Sequence, residues 1–177
     1  MDAHQRLGTP EPTIVAWAAQ VPADADVLDV AAGGGRHARL FAERGCPVTA
    51  VDRDGAALRA LADPRIEVVE ADLENAPWPF ADRRWDAIVV TNYLWRPLLP
   101  RLTAALRDGG LLLYETFMVG NERFGRPRNP EFLLRAGELR AFAAEHGLEE
   151  LAFSEGEVGA PPRAVRQRLL ARRRPVA

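Results

Sequence analysis

Lysine is absent from these 177 residues, and all 23 basic side chains are arginine. That absence excludes lysine chemistry, Schiff bases included. The single cysteine, Cys46, excludes an internal disulfide and a cysteine-rich metal site. No run approaches the roughly eighteen apolar residues of a membrane span, and no secretory leader is read at the start of the chain. A soluble, cytoplasmic protein with no membrane partner is therefore expected. An excess of charge of one sign is also lacking. The 23 arginines meet 25 acids, and a net charge of −2 does not make the chain a polyanion binder by charge alone.

What is present fits one α/β domain spanning residues 1–177, long enough for a sizeable core. Val27-Leu28-Asp29-Val30 is a short apolar run with one acid, which reads as a buried parallel strand. Gly33-Gly34-Gly35 follows and lets bare backbone approach a ligand. From Arg36 the pattern is helical. A strand, a glycine loop and a helix start form the geometry that binds nucleotide-like ligands. Gly33-x-Gly35-x-x-Ala38 fits the dinucleotide fingerprint, and Asp29-x-Ala31-x-Gly33-x-Gly35 fits a second pattern with Ala31 where glycine is usual.

The rest of the chain reads in order. Residues 1–22 hold a short helix, Ile14 to Ala19, either a lid over the ligand or a helix packed on the sheet. Strands are expected at 26–31, 47–52, 66–71, 85–90 and 111–117. Helices are expected at 35–44, 55–62, from Pro97 with Leu98, Leu102 and Leu106 on one face, and at 137–146. His37 reads as a solvated helix residue, and Phe80 as core. Residues 118–136 form a long polar loop with paired prolines and aromatics, the mark of an ordered, functional segment. Residues 148–158 and 164–171 alternate as two strands joined at Gly159-Ala160-Pro161-Pro162. On the second of these, Arg166 and Arg168 share one face, which reads as solvated.

Asp29 to Gly35, with Asp52 ending the second strand and Asp72 ending the third, resembles class I S-adenosylmethionine (SAM) methyltransferases. The resemblance implies a Rossmann-like sandwich: a mostly parallel seven-stranded sheet with a C-terminal antiparallel hairpin and helices on both faces. It implies SAM as cofactor and S-adenosylhomocysteine as product. Asp29, Ala31, Gly33, Gly35, Asp52, Arg53, Asp72, Leu73, Thr91 and Asn92 would bind it. Asp52 would take the ribose hydroxyls and Asp72-Leu73 the adenine. The segment Tyr114-Glu115-Thr116-Phe117-x-x-Gly120-Asn121-Glu122-Arg123-Phe124-Gly125-Arg126-Pro127 is similar to a small bacterial group related to tellurite-resistance methyltransferases.

Methyl transfer from a sulfonium needs an aligned nucleophile and excluded water. Residues after strands four and five would face the methyl group: Asn92, Tyr93, Trp95, Arg96, Glu115 and Thr116, with Asn121, Arg123, Phe124 and Arg126 from the loop. Glu115 and Tyr93 are the catalytic candidates, Glu115 as base, with a loop arginine as its alternative, structural partner. The arginines at 96, 123 and 126 are expected to converge on an anionic substrate. The reading is thus a methyltransferase for a small, anionic or soft nucleophile, monomeric or homodimeric. The alternatives are an RNA-modifying enzyme using the arginine-rich C-terminus and a non-catalytic SAM-binding regulator. No metal is expected.

Overall fold

A computed structural model of the chain describes residues 8–175. Seven strands form one sheet in the order β3-β2-β1-β4-β5-β7-β6. They are β1 Val27–Val30, β2 Val48–Asp52, β3 Ile66–Glu70, β4 Trp85–Thr91, β5 Leu106–Phe117, β6 Leu148–Val158 and β7 Ala164–Arg173. β1 to β5 run parallel, and β7 enters antiparallel between β5 and β6. The helices are α1 Pro12–Ala18, α2 Arg36–Glu43, α3 Ala56–Arg59, α4 Leu99–Ala104 and α5 Glu138–Glu145. The expected sandwich is the one observed.

The central strands are covered on both faces, so they read as nearly continuous apolar runs. One face buries Leu28, Val30, Val90, Leu112 and Tyr114 against α4 and α5. The other buries Val27, Val89 and Leu113 against Ile14 and Ala18 of α1 and Phe41 of α2. α1 is thus packed on the sheet, the second of the two expectations for it. Phe80 lies in the first core, in edge contact with Trp78 and Trp85 at centroid distances of 5.0 and 4.9 Å.

Two element boundaries differ from the sequence reading. Leu106 belongs to β5, where it pairs with Trp85; it is not on the apolar face of α4. A bulge then holds Arg107 to Gly110. A Cβ on Gly110 would lie 2.8 Å from the Arg107 carbonyl oxygen, and Gly109 has φ +80°, so Gly109-Gly110 shapes a bulge inside the strand and does not end a helix. α3 is a single turn because Ala62, at φ +49°, has already left the helical region.

Candidate active site

The site lies at the C-terminal ends of the parallel strands, where open α/β sheets bind ligands. β1 leads into Ala31, which sits at φ +53°, a left-handed conformation that explains why glycine is the usual residue there. Gly33 and Gly35 are also left-handed, for different reasons. A Cβ on Gly33 would meet nothing within 4 Å, so open space faces the loop there. A Cβ on Gly35 would strike Leu61 at 2.5 Å and Leu58 at 2.9 Å, so Gly35 lets α2 seat against the neighbouring helix.

Three carboxylates mark the ends of β1, β2 and the β3 turn. Asp29 is 1% exposed; its Oδ2 accepts from the Ala38 N–H at 2.8 Å, and its Oδ1 has no partner. Burial pushes its pKa up to about 7. Asp52 accepts from the Gly33 N–H at 2.8 Å and the Asp54 N–H at 3.0 Å, one on each oxygen, which leaves each oxygen a lone pair. Asp72 accepts from the Glu74 and Asn75 N–H groups and from the Asn75 amide, and these bonds hold its carboxyl below the usual range. Leu73 is half-buried beside it, and Arg53 is exposed beyond β2.

His37 is not solvated. It is 2% exposed, and its Nε2 accepts the Glu11 N–H at 3.0 Å. A backbone N–H can only donate, so the ring proton sits on Nδ1 and points to Thr91 Oγ1 at 3.2 Å. Burial and the adjacent Arg36 cation push its pKa down to about 3, which keeps it neutral. Thr91, expected at the cofactor, therefore turns its hydroxyl toward α2. Asn92 follows at φ +55°, exposed at the strand end.

A cavity of about 200 Å³ opens beyond Asn92. Its walls are Glu74, Asn92, Tyr93, Leu94, Thr116, Phe117, Pro127 and Phe132. Tyr93 carries a buried hydroxyl without a partner, and burial raises its pKa well above the ordinary phenol value. Several expected residues do not come to this wall. Arg96 gives its donors to Glu138 at 2.7 and 3.0 Å and to the Glu131 and Leu133 carbonyls at 2.8 and 2.9 Å. Arg123 pairs with Glu157 at 2.9 Å and lies over the Phe124 ring. Arg126 is exposed, and Trp95 packs against the core. Asn121 is 1% exposed, accepts from the Val165 N–H and donates to the Arg126 and Pro127 carbonyls, so it shapes the loop. The arginines do not converge: Arg96 and Arg123 meet carboxylates or carbonyls from distant elements, and Arg126 is exposed.

Glu115 is also displaced from its expected role. It is 1% exposed and absent from the cavity wall, with Arg168 at 3.1 Å and Arg166 at 3.6 Å. Its partners come from β7, not from the loop. Arg166, expected on a solvated face, is 9% exposed. Glu74, Leu94, Phe117, Pro127, Phe132 and Arg166 are the site residues that sequence reasoning missed. Only Phe117 and Pro127 carried a local signal, Phe117 as the last residue of an expected strand and Pro127 as one of the paired prolines of the long loop.

Residues 27–110 match a protein family described as a methyltransferase domain. That segment holds β1 to β4 and the start of β5. The fold extends the match to the whole sheet. TehB from Haemophilus influenzae is 22% identical with a TM-score of 0.72, over 90% of this chain and 61% of that one. The chain thus spans about three fifths of TehB. The 1,6-didemethyltoxoflavin-N1-methyltransferase of Burkholderia thailandensis, solved with bound 1,6-didemethyltoxoflavin and S-adenosylhomocysteine, is 21% identical with a TM-score of 0.70, over 98% and 79%. A SAM-dependent methyltransferase from Aquifex aeolicus is 18% identical with a TM-score of 0.65, over 92% and 93%. No curated protein matches the chain.

Residues 27–110 match a methyltransferase domain and the whole fold is shared with solved SAM-dependent methyltransferases, so the group to fit to this site is SAM. The residues present fit that group. A buried carboxylate oxygen without a partner, Asp29 Oδ1, calls for a cation or donor, and SAM carries an ammonium and a sulfonium.

Proposed function

We propose that the protein transfers a methyl group from SAM to a small, soft nucleophile bound without charge recognition in the cavity between the ends of β4 and β5 and the 118–136 loop. When bound, SAM would supply an electrophilic methyl, its sulfur keeping the electron pair of the S–CH₃ bond as the bond to the nucleophile forms, and an acceptor that arrives protonated would give its proton to water. Asp52 holds the ribose, Asp72 and Leu73 the adenine, and Asp29 faces the cationic end. The protein's part is to align the nucleophile and exclude water.

One observation carries the reading of the acceptor. The cavity wall is mostly apolar, with Tyr93, Leu94, Phe117, Pro127 and Phe132, and its only charged member is an acid, Glu74. An anionic substrate would meet no guanidinium on that wall. RNA is disfavoured on similar grounds: in the C-terminal basic run, Arg166 and Arg168 face Glu115, Arg172 faces Glu149, and Arg173 is bound to carbonyls and Asp108.

The test is transfer of labelled methyl from SAM to a panel of aryl thiols and neutral nitrogen heterocycles, beside carboxylates, oxyanions and a short RNA. Transfer to members of the first two classes is expected. Turnover confined to carboxylates, oxyanions or RNA overturns the reading.

A further inference from the structure

Arg166 lies on β7, in the antiparallel part of the sheet, yet it touches the ends of both strands that wall the cavity. Its NH1 donates to Asn92 Oδ1 at 2.7 Å. Its guanidinium lies over the Phe117 ring, 4.2 Å from the centroid. Glu115 and Glu11 flank it at 3.6 Å each. Asn92 and Phe117 are both wall residues, and they come from β4 and β5 respectively.

The two contacts ask for different things. Asn92 sits at φ +55°, a conformation that costs a non-glycine residue energy and needs an outside hold. Asparagine tolerates it better than most residues, and here its side-chain oxygen is pinned by a charge-assisted bond. Phe117 needs a flat partner, and a planar cation provides one. Glu115 and Glu11 compensate the charge, so the guanidinium can stay buried. Glu11 in turn is paired with Arg36 at 2.9 Å, at the start of α2. A single side chain thus ties the acceptor wall to the N-terminal segment over the glycine loop.

We infer that Arg166 is a positioning residue for methyl transfer: its guanidinium fixes Asn92 and Phe117 so that the acceptor lies in line with the methyl group. The inference rests on the proposed reaction. A displacement of about 1 Å at the reacting atoms is enough to cost on the order of a hundredfold in rate. The role requires a planar fork as well as a charge, so lysine cannot supply it.

The experiment compares the wild type with Arg166→Gln, Arg166→Lys and, as a control on the same strand, Arg172→Gln, whose arginine forms only an exposed pair with Glu149. Three quantities are read: S-adenosylhomocysteine affinity by calorimetry, kcat and KM for thiophenol as probe acceptor, and hydrogen exchange of the peptides containing residues 92–94 and 31–36. Arg166→Gln is expected to lower kcat by roughly a hundredfold, with S-adenosylhomocysteine affinity and probe KM within about threefold. Arg166→Lys is expected to fall close to it, and Arg172→Gln to match the wild type. Exchange should rise at 92–94 and stay unchanged at 31–36. Full activity in Arg166→Lys overturns the inference, since charge alone would then suffice. So does a loss of S-adenosylhomocysteine affinity that parallels the loss of rate. If wild type does not methylate thiophenol, the acceptor panel judges the proposed reaction separately and the exchange pattern decides about Arg166: unchanged exchange at 92–94 in Arg166→Gln removes it from the wall.

Discussion

Asp29 and Glu115 are both 1% exposed, and each has one oxygen without a partner, yet they stand in opposite surroundings. Asp29, at the cofactor end, has one backbone N–H and no guanidinium within bonding distance among the described residues. Burial dominates, and its pKa rises to about 7. Glu115, at the acceptor end, lies between Arg166 and Arg168. The first carboxylate meets no cation of the chain among the described residues. The second is already spent on cations that belong to the chain. Buried acids on β1 and β5, strands separated only by β4, therefore stand in unlike surroundings, and the difference lies in what the next element brings to them.

The largest expected effect breaks the comparison at Asp29. The folded pKa of Asp29 lies above its ordinary 3.8, so its contribution to stability is full below 3.8 and is lost as pH rises toward about 7. His37 works the other way: its folded pKa of about 3 lies below 6.5, so its contribution is full above 6.5 and is lost as pH falls toward 3. Between 3.8 and 6.5 the two slopes oppose each other. Asp29→Asn removes one of them. Relative to wild type, the cofactor-free variant should lose about 1.4 kcal/mol of stability per pH unit on going from 6.5 to 4. Urea titrations at four pH values measure this, and parallel curves for the two proteins would remove Asp29 as a buried proton carrier.

Asp52→Ala comes next. Loss of hydrogen bonds to a charged group should weaken SAM by about 1.5–3 kcal/mol, read by calorimetry on folded protein. Unchanged affinity would take Asp52 out of the site. Glu115→Gln sharpens the comparison from the other side. It leaves Arg166 and Arg168 without their shared counter-charge and should cost about 1–2 kcal/mol of stability, discounted because Arg168 is partly exposed. S-adenosylhomocysteine affinity should hold within a few fold, and a selective loss of binding without a loss of stability would reassign Glu115 to the cofactor. The smallest effect is expected at Ala31→Gly. Relief of the left-handed conformation and the added freedom of the unfolded chain each amount to about 1 kcal/mol and oppose one another. A shift in Tm above about 2 °C in either direction would show that one of these opposing effects dominates.

The parallel half of the fold was legible because its strands are buried on both faces and end in glycines and acids. Val27–Val30, Val48–Asp52 and Trp85–Thr91 need no partner to be recognised. β7 was legible as a strand, but its faces were not. Alternation places Arg166 and Arg168 together, and only the fold reveals that Glu115 pairs with both and that Glu11 flanks Arg166. Leu106 fits a helical spacing with Leu98 and Leu102 as well as it fits a strand, and the Gly109-Gly110 bulge decides for the strand. Arg96 was placed correctly after β4. Its partners lie 35 to 42 residues further on, a separation at which sequence carries no trace of pairing.

The Arg96 fork has a consequence for traffic into the site. It binds the Glu131 and Leu133 carbonyls and the Glu138 carboxylate from the end of β4, and Met118 and Leu134 form a bridge close by. The 118–136 loop is therefore riveted at both feet. Between the feet, Arg123 pairs with Glu157 and Asn121 donates to the Arg126 and Pro127 carbonyls, so the loop bordering the cavity has a fixed frame. On the proposed reading, an opening with a fixed frame admits slender acceptors more readily than those carried on a polymer.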